Sequence, residues 1–173
     1  MKKILFAALL VLGMGSMYGQ GVFRAGVVGA IPAGDASDFS SFGLGVDLYY
    51  MFGRNNSWGN FGPTVGFRNY FGKDYDFSGG GFDITVQGDD VQFLPLAGAF
   101  RGKILGLVNW GSDIGYAVGI NSGNDGGFYL RPIVGIDIAN RVEINASYEM
   151  VFIDGGNWNA ITFGLLYEFG KGR

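Results

Sequence analysis

The sequence predicts an all-β fold, an eight-stranded antiparallel up-and-down transmembrane β-barrel, on three observations. Apolar and polar residues alternate with a period of two through successive segments. Charged residues are sparse, at 16% of the chain, while glycine (33 residues) and aromatics (16%) are abundant, a balance unlike that of a domain bathed only in water. Beyond the N-terminus no stretch supplies the roughly 18 uninterrupted apolar residues of a membrane helix; the nearest candidate, 94–110, contains Arg101 and Lys103. If such a chain spans a membrane, it does so with strands.

Residues 1–19 have the layout of a cleaved secretory signal: Lys2 and Lys3, the apolar run from Ile4 to Leu12, then small or polar residues to Gly19. The run is too short for an anchor. Cleavage after Gly19 leaves 20–173 as the barrel domain; cleavage after Gly15 is the alternative, because Met17 stands where a small residue is usual. No linker or charge run divides the remainder, which reads as one domain. Without the two lysines the chain has ten basic and fifteen acidic residues, a net charge of −5, which argues against a nucleic-acid partner. Cysteine and histidine are both absent, so disulfides and thiolate sites are excluded.

The strands follow in order. Segment 22–31 sets Phe23, Ala25, Val27 and Ile31 opposite Arg24, Gly26, Val28 and Ala30. Segment 42–52 alternates clearly, with Leu44, Val46 and Leu48 against Gly45, Asp47 and Tyr49. Segments 61–71 and 91–101 alternate less cleanly but carry Arg68 and Arg101. In 113–121, Ile114, Tyr116 and Val118 oppose Asp113, Gly115 and Ala117; in 128–138, Leu130, Val134 and Ile136 oppose Arg131, Ile133 and Asp137, with Pro132 a strain on the ladder. Segment 142–152 sets Val142, Ile144, Ala146 and Tyr148 against Glu143, Asn145, Ser147 and Glu149. The last, 161–169, sets Ile161, Phe163, Leu165, Tyr167 and Phe169 against Thr162, Gly164, Leu166 and Glu168.

Eight antiparallel strands can close and so remove edges that lipid would leave unpaired. Closure puts 32–41, 72–90, 121–127 and 153–158 at one end, as loops, and the turn 139–141 at the other, with 53–60 and 102–110 as longer connections there. The interior of such a barrel is just wide enough for its own side chains, so packing the aromatic and aliphatic face inside would overfill it. The glycine-rich, charged face therefore turns inward and the apolar face meets lipid. The predicted lumen charge network is Arg24, Asp47, Arg68, Arg101, Asp113, Arg131, Asp137, Glu143, Glu149 and Glu168, paired because an unmatched charge out of water costs several kcal/mol. Aromatics near strand ends, Tyr49, Tyr50, Phe52, Trp110, Tyr167 and Phe169 at one end and Tyr70, Phe71 and Trp158 at the other, suit interfacial girdles.

The stretch Phe93-Leu94-Pro95-Leu96, the run Gly127-Phe128-Tyr129-Leu130 and the ending Leu165-Leu166-Tyr167-Glu168-Phe169 resemble the porin-like outer membrane β-barrel domain family over the whole mature chain. The resemblance implies a bacterial outer-membrane location, with Leu165, Tyr167 and Phe169 as a C-terminal assembly signal read by the barrel-assembly machinery. Four residues follow Phe169, a departure from the usual terminal aromatic.

An enzyme is not expected. No histidine is available as a base, and no catalytic residues, cofactors or metal ligands are assigned. The loop acids Asp35, Asp38, Asp74, Asp76, Asp89, Asp90 and Asp125 lack calcium-loop spacing. The expected role is structural or surface-interacting, through the outer loops and above all through 74–90 with Tyr75, Phe77 and Phe82. Outer-membrane lipid, lipopolysaccharide and an extracellular ligand are the expected partners of a monomer. A narrow pore for small solutes and a soluble periplasmic lipocalin-like carrier are the alternatives.

Overall fold

The computed structural model describes residues 21–52, 59–79, 82–86, 88–139 and 141–169; the signal segment 1–19 lies outside them. In chain order the elements are β1 (Val22–Ala33), α1 (Ala36–Phe39), β2 (Ser40–Met51), β3 (Asn60–Gly72), β4 (Tyr75–Gly79), β5 (Phe82–Val86), β6 (Val91–Ile104), β7 (Val108–Gly119), β8 (Gly127–Ala139), β9 (Val142–Ile153) and β10 (Gly156–Phe169).

Eight of these strands form a closed antiparallel barrel in the order β1-β10-β9-β8-β7-β6-β3-β2. The β1–β10 seam, from Phe23 opposite Phe169 to Ala33 opposite Asn159, shuts the ring and sets both ends of the barrel chain at one rim. Following the register once round the barrel does not return to the starting residue; this stagger tilts the strands against the axis.

Alternation fixes which side chain faces which medium. On β1 the even positions turn inward and the odd ones outward; Val27 is 58% exposed while Arg24 is buried. On β10 the pattern holds without interruption from Trp158 to Phe169. The exterior is a belt of Val, Leu, Ile, Phe and Tyr, including Leu44, Val46, Leu96, Ile114, Val134 and Phe163. Such a continuous apolar exterior far exceeds the patches that soluble monomers show and matches the lipid-facing band of a membrane barrel. A lipocalin-like barrel would carry this set inside, so the soluble alternative fails on the orientation of its strands.

Several connections differ from the sequence reading. The 102–110 connection is strand almost throughout, reduced to a turn at 105–107, because Lys103 and Asn109 continue the inward polar face by bonding Asp137. The 153–158 loop shrinks to a tight turn in which Gly155 takes φ 84°, a left-handed geometry that glycine adopts without penalty. The loop after β1 contains α1, and the 72–90 connection contains the β4–β5 hairpin, with Tyr75 opposite Val86 and Gly79 opposite Phe82.

Candidate functional site

The lumen holds the chain's concentration of buried charge. Next to the rim where the barrel chain begins and ends, Arg24 of β1 donates from Nε and Nη2 to Glu168 Oε2, at 3.1 and 2.9 Å, and from Nη1 to Glu143 Oε2 at 3.2 Å. Asn109 Nδ2 donates to Glu143 Oε2 at 3.0 Å and to Asp137 Oδ1 at 2.6 Å, while Lys103 Nζ reaches Asp137 Oδ2 at 2.6 Å.

Farther in, Asp47 of β2 is held by two guanidinium groups, Arg68 Nη1 at 2.9 Å and Arg131 Nη1 at 2.7 Å. Arg68 Nε also donates to Glu149 Oε2 at 3.0 Å. Arg131 Nε donates to Ser147 Oγ at 2.7 Å, and Ser147 in turn shares a hydroxyl hydrogen bond with Thr162. Arg101 Nη2 lies 2.8 Å from Asp113 Oδ1, with its guanidinium 5.1 Å from the centre of the Tyr49 ring. Three phenols complete the lattice: Tyr49 donates to Asp113 at 2.9 Å, and Tyr70 and Tyr129 both donate to Glu149, at 2.8 and 3.0 Å.

All ten residues of the sequence-derived network line this lumen, and all but Asp137 are buried. Burial of so many charges is sustainable only when each meets an opposite charge or a donor, and the planar fork of arginine can serve two acceptors at once. Glycines make room for the flat groups. A Cβ on Gly66 would stand 2.5 Å from Asp47 Oδ1, and one on Gly45 would stand 2.3 Å from the Phe67 carbonyl and 2.7 Å from Arg68 Cδ. Gly66→Ala is therefore expected to push the Asp47–Arg68 pair apart and to cost about 1–3 kcal/mol, read as a lower urea midpoint of the folded barrel in lipid.

At the loop end an aromatic plug covers the lattice. Tyr70, Phe93 and Trp158 meet with ring centroids 5.4–6.3 Å apart, and Ala36 of α1, 1% exposed, belongs to the same cluster. Three aromatics assigned to the girdles on sequence are thus lumen residues: Tyr49, Tyr70 and Trp158. Tyr49 and Tyr70 occupy inward registers and spend their hydroxyls on buried carboxylates, which is how a buried phenol is satisfied. Trp110, Tyr167 and Phe169 do face outward. Sequence reasoning also passed over Lys103, Asn109, Tyr129, Ser147 and Thr162 as network members; each stands two positions from a network residue or continues its face, which is the signal that identifies them.

A closed barrel of eight tilted strands, apolar outside and ion-paired inside, defines the class: by fold the chain is a small eight-stranded transmembrane β-barrel. No family model matches the chain, and no curated protein does. Among solved structures it is similar to the outer membrane protein Ail of Yersinia pestis in a phospholipid bilayer nanodisc, 16% identical, over 87% of this chain and 100% of that one, with a TM-score of 0.55. It is likewise similar to the crystal structure of that protein, the attachment invasion locus protein, at 17% identity over 88% and 100% with a TM-score of 0.55. A de novo designed transmembrane β-barrel shares the fold at 10% identity over 87% and 98%, with a TM-score of 0.54.

Proposed function

We propose that the mature protein is a monomeric outer-membrane barrel with a filled lumen, working at the cell surface through its outer loops. The observation that carries this reading is the filling itself: Arg68, Arg131, Asp113 and Glu149 are each 1% exposed, so the interior is committed to its own pairing. The loop end is then the part of the molecule left free to meet a partner. It is acidic, with Asp35, Asp38, Asp74, Asp89, Asp90, Asp125 and Asp154 all exposed. Lipid and lipopolysaccharide surround the apolar belt. Leu165, Tyr167 and Phe169 present an outward aromatic-aliphatic edge on the closing strand, the feature expected of a signal for the assembly machinery.

Deleting 75–86, the β4–β5 hairpin, while joining its ends with a short glycine-serine turn is expected to leave heat-dependent gel mobility unchanged and to abolish adhesion of expressing cells to host-cell or abiotic surfaces. Unchanged adhesion would refute the loop role. In planar bilayers the pure protein is expected to show no stable conductance steps, since wide aqueous channels belong to barrels of about 16 strands or more; regular steps would favour the narrow-pore reading.

A further inference from the structure

The β6–β7 turn, Ile104-Leu105-Gly106-Leu107, is built against both local preference and solvation. Leu105 takes φ 53° and Gly106 φ 69°, and Leu107 N donates to the Ile104 carbonyl at 3.2 Å. Positive φ at both central residues belongs to primed hairpin turns, whose favoured sequence is Asn-Gly. Leucine stands instead at the first central position, in a backbone region that side chains with a Cβ rarely occupy. It is the one non-glycine with positive φ among the described residues. The same side chain is 96% exposed. An asparagine would relieve both penalties, so the leucine needs a medium other than water.

The surroundings supply that medium. Ile104 and Leu107 are about half exposed beside it. Val108 pairs with Ile136, and the Leu107 carbonyl accepts from Asp137 N, which joins the turn to the end of β8, where Ile136 and Ile138 face outward. Above the turn the same exterior continues through Phe100 and Trp110, whose rings meet edge-to-face at 5.5 Å. The apolar belt thus runs down this side of the barrel, around the rim and into the turn, interrupted on the outer register of β7 by the half-buried Ser112 between Trp110 and Ile114.

We propose that the β6–β7 turn is a lipid-seated keel, with Leu105 and Leu107 inserted into the periplasmic leaflet as an extension of the belt. The inference rests on the membrane-barrel reading above. The barrel would sit deeper on its β6–β8 side than a ring with polar turns allows.

The chain has no cysteine, so single cysteines label cleanly. The full mature chain carrying Leu105→Cys, Val134→Cys or Asp154→Cys is folded into phosphatidylcholine nanodiscs holding one barrel each and labelled with a polarity-sensitive fluorophore. Quenching is compared between acyl-chain nitroxide lipid and aqueous iodide, which reaches both faces of a disc. The expected result is that position 105 behaves like 134, quenched by lipid nitroxide and shielded from iodide, while 154 shows the reverse. Iodide quenching at 105 equal to that at 154, with 134 still quenched from lipid, overturns the keel and leaves the barrel reading intact. Failure of lipid quenching at 134 overturns the barrel reading and the keel with it. One barrel per disc excludes shielding of position 105 by a second copy.

Discussion

Asp47→Ala is expected to lower the stability of the folded barrel by about 3–5 kcal/mol, the range for breaking a buried ion pair by removing one partner. Asp47 is 3% exposed and sits between Arg68 and Arg131. Without it Arg68 retains Glu149 at 3.0 Å, whereas Arg131 is left with Asp113 at 4.0 Å as its ionic contact. Two guanidinium groups then face one another across the vacated carboxylate, with repulsion added to lost pairing. Urea titration of barrels in lipid vesicles, followed by tryptophan fluorescence and gel mobility, reads the change. Asp137→Ala serves as comparison: its partner Lys103 and its own side chain are 13% and 25% exposed, so water screens this pair more than the buried ones and the loss is expected to be smaller. Equal losses at the two positions would show that the lumen is wet and the pairs screened.

The second large effect lies on the opposite face. Val27→Arg is expected to cost about 2–4 kcal/mol, as for a charge at the bilayer midplane of a membrane barrel. Val27 lies midway along β1, opposite Leu165 on one side and Val46 on the other. On a water-facing exterior, an exposed valine to arginine exchange falls within about ±0.5 kcal/mol, so this one substitution separates lipid from water as the outer medium. A near-zero change measured in vesicles would refute the lipid-facing assignment of the belt.

Much of this was legible in the sequence because a two-residue period is a local property. The runs 142–152 and 161–169 declare their inward and outward sets with scarcely an exception, and β9 and β10 bury those same sets. What was not legible depends on relations between distant strands. That Asp47 meets Arg131 across 84 residues follows from the stagger of the ring, which no single segment encodes. For Tyr49, Tyr70 and Trp158 register decides the facing and nearness to a strand end does not; each shares the inward face of its neighbour two positions away, Asp47, Arg68 and Ala160. The helical turn Ala36–Phe39 has too few residues to show a helical period, and the β4–β5 hairpin sits in a stretch whose glycines and acids read as loop.

The pairs that cross the lumen have a mechanical meaning. Asp47–Arg131 joins β2 to β8 and Arg68–Glu149 joins β3 to β9, strands that stand on opposite sides of the eight-membered ring. Hydrogen bonds between neighbouring strands fix the circumference of a cylinder but not its roundness; a closed ribbon can still flatten. Spokes across the diameter oppose that flattening, and two of them ending on adjacent strands at each side brace one axis of the cross-section. Lateral pressure from the bilayer is then met by ionic struts in the interior, and the rim at the loop end keeps its spacing while lipids around it move.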